Sequence, residues 1–217
     1  LMMFLSLEIL SVSSYVLVGY LRRDRQGSEA ALKYIVYGAV ASAIMVFGLS
    51  LWFGVTGSAE IGASAEVLFS PTDGGASGGT AGQLLLLLAF LMIFAGLAYK
   101  MSTVPMHFWT PDVYQGAPTA VTAFLSVVSK GAGFALAVRF IGGLAESVAA
   151  VGNESSWSAF WEFTGQWSLV IGLISVLTMT LGNFAALWQT NLKRLMAYSS
   201  IAHAGYLLMA LTLLCPV

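Results

Sequence analysis

The 217 residues are 58% hydrophobic and only 9% charged, with a mean hydropathy of +0.85, so there is too little polar surface to coat a water-soluble globule. A formal net charge of −1 offers no basic field to nucleic acid or any other polyanion. The one cysteine, Cys215, can form no disulfide within the chain and cannot by itself hold an iron–sulfur cluster or a structural zinc. What remains is an integral membrane protein solvated by lipid, with any electron transfer left to other chains.

In chain order, Leu1 already lies inside an apolar run, with no basic segment or small-residue cleavage site, so no signal peptide is read and the chain reads as an internal fragment. Residues 1–21 form a first span, interrupted by Glu8 and several serines and closed by Arg22-Arg-Asp-Arg25. Ser28 and Glu29 make a helix start for a second span, 30–55, with Lys33 close to that start. Residues 57–82 read as a loop rich in Gly, Ser and Ala that carries Glu60, Glu66 and Asp73 and no base. The third span, 83–115, is broken: Lys100 stands inside it, and Pro105, Pro111 and Pro118 each remove a backbone donor. A fourth span, 119–144, holds Lys130 and Arg139. A second acidic loop follows, with Glu146, Glu154 and Glu162 beside Trp157, Trp161 and Trp167, whose rings suit a membrane interface. Spans 168–188 and 195–213 complete the chain, joined by Gln189-Thr-Asn-Leu-Lys-Arg194. The expected fold is all-α: one membrane domain, 1–217, forming a polytopic transmembrane helix bundle of about six spans, with a discontinuous helix around residues 101–106.

Orientation follows from the bases. Alternating the sides puts Arg22, Arg23, Arg25, Lys193 and Arg194 on one face and both acidic loops on the other, so the positive-inside rule makes the first face cytoplasmic. This count holds only if residues 83–118 cross the membrane once. At about 1.5 Å per residue, Glu8 lies ~20 Å from the cytoplasmic end of its helix, Lys100 ~22 Å from Gln115, Lys130 ~18 Å from Pro118 and His203 ~14 Å from Arg194. All four fall near the middle of a hydrocarbon core about 30 Å thick. Charges there cost at least ~2.5 to 3.5 kcal/mol each on insertion scales, so ionisable groups gathered at one depth should share partners and water. Irregular backbone at that depth survives only beside protein or a watery cavity.

Burial disfavours the charged form of lysine and of glutamate, and a nearby opposite charge restores it, so moving a partner toggles protonation. Lysine can release its proton where arginine cannot. On this reasoning Glu8 and Lys100 form a switchable ion pair, Lys130 is the next acceptor, and His203 is a further relay. Lys33 either takes part in proton uptake or extends its stem to the interface. Structural readings stand beside these. Glu8 can be a buried carboxylate held by serine or backbone, and Arg139 reaches the outer interface. His107 caps or hydrogen-bonds the broken helix rather than binding a metal, for which no second ligand is spaced. Asp112 caps the half-helix or meets a neighbouring subunit. No phosphate loop, paired cysteine or nucleophile with an organised base is present, and Gly131 and Gly133 permit close helix packing.

The stretch from Lys100 to Pro118, KMSTVPMHFWTPDVYQGAP, followed by Ser129-Lys130, resembles the signature of subunit N of proton-pumping NADH-quinone oxidoreductase, subunit 2 in mitochondria, one of the antiporter-like subunits of respiratory complex I. Trp109-Thr-Pro-Asp-Val-Tyr-Gln-Gly-Ala-Pro is closer to subunit N than to its paralogues L and M or to the cation/proton antiporters. The resemblance extends to Glu8, Lys33 and the run from Asn191 to His203. It implies four helices before Leu1 and roughly four after Val217, in a family of about fourteen spans. It implies that Glu8 and Lys100 are the coupling pair and Lys130 the central lysine of a proton-translocating subunit in a bacterial inner membrane. It further implies neighbouring antiporter-like membrane subunits as partners. NADH, FMN, iron–sulfur clusters and quinone are expected on other subunits, with no cofactor or metal in this chain. The rival readings are a cation/proton antiporter subunit, or a non-pumping assembly subunit whose charges only hold helices together.

Overall fold

The computed structural model describes residues 2–21, 24–64, 80–151 and 154–212. Arg22, Arg23, Glu66, Asp73 and Cys215, on which some of the expectations above rest, lie outside the described residues. The principal elements are all helical: α1 (Met2–Val18), α2 (Arg25–Thr56), α3 (Thr80–Met101), α4 (Trp109–Gly116), α5 (Thr119–Phe124), a π-helical turn (Leu125–Ser129), α6 (Lys130–Val151), α7 (Glu154–Leu187) and α8 (Leu192–Thr212). Among the described residues, five segments are long and apolar enough to cross a bilayer: Arg25–Thr56, Leu84–Met101, Thr119–Glu146, Trp167–Leu187 and Leu192–Thr212. Met2–Val18 is a shorter apolar helix. The outward faces are themselves apolar, with Ile9, Val12 and Val16 exposed on α1 and Leu169, Leu173 and Val176 on α7. Such faces are stable against lipid and not against water.

Several helix limits differ from the sequence expectation by a few residues, and three differences have a local reason. Helix α2 begins at Arg25 rather than near residue 30, because Asp24 caps it and accepts from the Gln26 amide at 3.1 Å. It ends where Gly57 adopts the left-handed conformation and donates to the Phe53 carbonyl at 2.7 Å. The acidic segment read as a loop is helical where it is described: Glu146 lies in α6, and Glu154 and Glu162 lie in the first part of α7, where Phe160, Thr164, Trp167 and Ile171 are buried at helical spacing. The fourth span is one helical segment but not a uniform α-helix, since the π-helical turn lies between α5 and α6 immediately before Lys130. Single π turns of this kind recur at functional sites.

Two buried clusters hold the bundle together. One gathers Trp52, Phe90, Ile93, Phe140, Leu144 and Ile171 from α2, α3, α6 and α7. The other surrounds the helix break with Tyr34, Tyr99, Trp109, Val113, Tyr114 and Leu125. Helices α7 and α8 pack along their length as a hairpin, with Ser175 Oγ donating to the Gly205 carbonyl at 2.7 Å. A Cβ at position 205 would stand 2.6 Å from Met179 Cγ, 2.9 Å from Met179 N and 3.1 Å from Ser175 O. Gly205→Ala is therefore expected to destabilise the hairpin by about 1–3 kcal/mol, read as a lowered thermal unfolding midpoint in detergent. An unchanged midpoint would mean that the two backbones are not this close.

Candidate functional site

The helix break is closed by groups from three directions. After Met101 the chain turns through Ser102, which is in the left-handed region with φ 61°. Thr103 N donates back to Ala98 O at 2.9 Å and Ser102 N to Tyr99 O at 3.1 Å. The indole of Trp109 donates to the same Tyr99 carbonyl at 3.1 Å. From α7, Thr178 Oγ1 accepts from Val104 N at 3.1 Å. Several backbone groups at the break are thus taken up by protein, as irregular chain at membrane depth requires. The non-helical stretch, 102–108, extends slightly further than residues 101–106.

Lys100 sits at this break, 2% exposed, and Nζ donates to Ser11 Oγ of α1 at 3.1 Å. Glu8, one turn before Ser11, is half-buried and accepts from the Ser42 hydroxyl of α2. The two charges are close enough to interact electrostatically. They form no direct ion pair; the three ion pairs among the described residues all lie elsewhere. Glu8 and Ser11 stand one turn apart on the same helix, and it is Ser11 that takes the hydrogen bond from Lys100.

Lys130 opens α6 directly after the π turn and is 4% exposed. Its Nζ donates to Ser200 Oγ of α8 at 2.6 Å and lies 5.8 Å from the centre of the Tyr114 ring. Ser200 Oγ in turn is 3.4 Å from Tyr114 Oη. Lys100 and Lys130 belong to touching helices. A Cβ at Gly133 would meet Lys100 Cβ at 3.3 Å and Met101 Cγ at 3.1 Å. Gly133 is three residues beyond Lys130, so the two lysines differ in height by about one helical turn, ~4.5 Å. This close approach is the use the structure makes of Gly133.

Lys33 is in a different environment. Its ammonium pairs with Glu29 at 2.8 Å and with Asp112 of α4 at 2.8 Å. Asp112 also receives Arg194 of α8 at 2.7 Å, and Arg194 bonds Gln115 at 3.1 Å. Lys193 adds a bond to Ala117 O at 2.9 Å. Glu29, Lys33, Asp112, Gln115 and Arg194 line a cavity of about 270 Å³ with Gln26, Ala30 and Gly116. The start of α2, the end of α4 and the start of α8 therefore meet at one end of the bundle. Glu60, Arg139 and Glu146 line a cavity at the other end, with Met2 and Trp52. Sequence reasoning left Asp112 as a cap or an outside contact, whereas here it is the anion shared by Lys33 and Arg194. The signal was available: a carboxylate in a half-helix expected to end on the same face as Arg194.

His203 is one turn beyond Ser200 on α8 but exposed, with its ring edge on Tyr206 at 5.8 Å. The structure does not bring it into the row of buried lysines. His107 lies in the break with its ring against Phe108 at 4.5 Å, and Nδ1 is buried without a hydrogen-bond partner. Tyr114 and Ser200, which the sequence did not single out, are the groups that face Lys130.

The chain is similar to known proteins along nearly its whole length. The family model described as "NADH:quinone oxidoreductase/Mrp antiporter, TM" matches residues 1–215. The chain belongs to this family. Among relatives in the NADH:quinone oxidoreductase/Mrp antiporter family, NADH-quinone oxidoreductase subunit N of Anaeromyxobacter sp. (strain Fw109-5) is 49% identical over 98% of this chain and 40% of its own length. Subunit N of Bacillus anthracis is 45% identical over 99% of this chain and 40% of its own. In the structure of respiratory complex I from Thermus thermophilus with bound aureothin, a chain 38% identical to this one superposes with a TM-score of 0.70, over 96% of this chain and 39% of that one. The chain spans about 40% of the length of the curated relatives it matches.

Proposed function

We propose that this chain is part of a proton-translocating membrane subunit of an NADH-quinone oxidoreductase, in which Glu8, Lys100 and Lys130 pass protons laterally through the membrane interior. The carrying observation is the contrast between lysines. Lys33 is held by two carboxylates, whereas Lys100 and Lys130, both buried, each hydrogen-bond a single serine hydroxyl. A charge kept only to brace helices is best enclosed by fixed opposite charge, as Lys33 is. A buried amine facing a hydroxyl can give up its proton without leaving a carboxylate unpaired.

Glu8 controls Lys100 by moving toward or away from it, and Lys130 receives the proton. Lys33 belongs to the clamp at the end of the bundle, where it lies on the uptake side if that end is cytoplasmic. His203, one turn from Ser200, continues the row once its exposed face is covered. Redox chemistry with NADH, FMN, iron–sulfur clusters and quinone belongs to other subunits on this reading, and the outward apolar faces contact lipid and neighbouring membrane subunits. The names of the relatives favour this assignment over cation/proton exchange.

The test is Lys100→Met in the assembled complex carrying the full-length subunit, with proton translocation and quinone reduction measured together in proteoliposomes. Translocation is expected to fall by about tenfold, below the hundredfold or more of a sole proton carrier, because Glu8 remains nearby to hold a proton. Full pumping by a normally assembled variant would remove Lys100 from the path.

A further inference from the structure

We infer that the Tyr34 hydroxyl relays protons between the surroundings of Lys100 and those of Lys130, taking them from Ser14 and passing them to Ser129. This inference rests on the reading of the two lysines as proton carriers. The Tyr34 ring is fully buried, stacked on Trp109 at 4.6 Å and 18° and met edge-on by Tyr15 at 4.7 Å. Aromatic contact on both sides fixes the direction in which the hydroxyl points. The hydroxyls of Ser14 on α1 and Ser129 at the end of the π turn are close enough to interact with it. Neither closes a hydrogen bond to it: Tyr34 Oη and Ser129 Oγ are both buried atoms without a partner. Buried hydroxyls are nearly always bonded, and a phenylalanine would fill the same ring site without an unpaired oxygen. Two such hydroxyls near one another, in a bundle that buries two lysines, are what a pathway of transient bonds requires.

The ends of the path lie next to the two lysines, one through a hydrogen bond and the other through adjacency in the chain. Ser11, which takes the hydrogen bond from Lys100 at 3.1 Å, is one turn from Ser14 on the buried stripe of α1, about 4.5 Å along the axis. Ser129 directly precedes Lys130. In one transfer the Lys100 ammonium gives a proton to Ser11. Ser11, Ser14, Tyr34 and Ser129 each accept one proton and release their own, and the neutral Lys130 amine takes the last. One proton moves, the charge passes from one lysine to the other, and no hydroxyl is left ionised. Ser11 and Ser14 must turn away from the Leu7 and Leu10 carbonyls they bond at rest, at 2.7 and 2.6 Å.

The experiment uses the full-length subunit in the assembled complex, in proteoliposomes supplied with NADH and a short-chain quinone. Tyr34→Phe keeps the ring and removes the hydroxyl, and proton translocation is expected to fall by about tenfold or more, with a changed solvent deuterium isotope effect. Should the variant fail to assemble, mono- and difluorotyrosine at position 34 keep the hydroxyl while making it progressively more acidic. A translocation rate that follows ring acidity supports the relay, and one indifferent to it overturns the relay. Full pumping by assembled Tyr34→Phe, alongside pumping lost in Lys130→Met, overturns the Tyr34 relay alone. Full pumping by Lys130→Met overturns the reading beneath it.

Discussion

Lys130→Met in the assembled complex is expected to lower proton translocation by at least about a hundredfold, the lower bound for removing a positioned proton-transfer group. The effect should exceed that of Lys100→Met because of what surrounds each amine. Lys100 has Glu8 nearby, a second group able to hold a proton. Lys130 has the hydroxyl of Ser200 and the ring of Tyr114, neither of which ionises readily near neutral pH. Methionine fills a similar volume, and removing an ammonium from the bilayer interior relieves a cost of about 2.5–3.5 kcal/mol. Assembly and thermal stability should therefore hold or improve while pumping is lost. That combination separates a proton carrier from a brace, whose removal would leave pumping intact or destroy assembly. Normal pumping by an assembled Lys130→Met complex would end the proton-transfer account.

Asp112→Lys is expected to destabilise the bundle by about 4 kcal/mol. The substitution removes two ion pairs that are each about one-third exposed and so contribute at most about 1 kcal/mol apiece. It then sets a third cation against Lys33 and Arg194. Like charges about 4 Å apart repel by ~1 kcal/mol in water and ~4 kcal/mol at the effective dielectric of a protein surface, so the partly exposed clamp lies between these values. The consequence reaches the site through α4. Asp112 anchors the eight-residue helix on one side, and Tyr114, two residues on, covers Lys130. A lowered unfolding midpoint should therefore be accompanied by slower proton translocation. Combining Asp112→Lys with Arg194→Glu restores one pair and should recover part of both. If Asp112→Lys leaves the unfolding midpoint unchanged, the cluster is a surface decoration and not a clamp.

The sequence made some of this legible because the signals were one-dimensional. Lys100 and Lys130 stand out as charges in apolar runs, and Pro105, Pro111 and Pro118 mark a helix that cannot continue. Their depth along the helix axes could be counted. Depth says nothing about azimuth, which is why His203 has a suitable height yet faces outward, one turn from a serine that faces Lys130. The π turn before Lys130 left no such mark, since Leu125-Ser-Val-Val-Ser129 satisfies an α-helix equally well. Glu154 to Glu162 read as a loop because charge was weighed above the helical spacing of Phe160, Thr164 and Trp167.

By itself the sequence determined that the chain lives in lipid, that its third span is interrupted, and which amines are held in the membrane interior. Each follows from hydrophobicity and backbone chemistry carried within a single segment. Only the tertiary structure decided the partners: Ser11 for Lys100, Ser200 and Tyr114 for Lys130, and Asp112 shared by Lys33 and Arg194. Those contacts join residues of separate helices, and which faces meet is set by close approaches such as those at Gly133 and Gly205, a property of packed pairs that no single helix encodes.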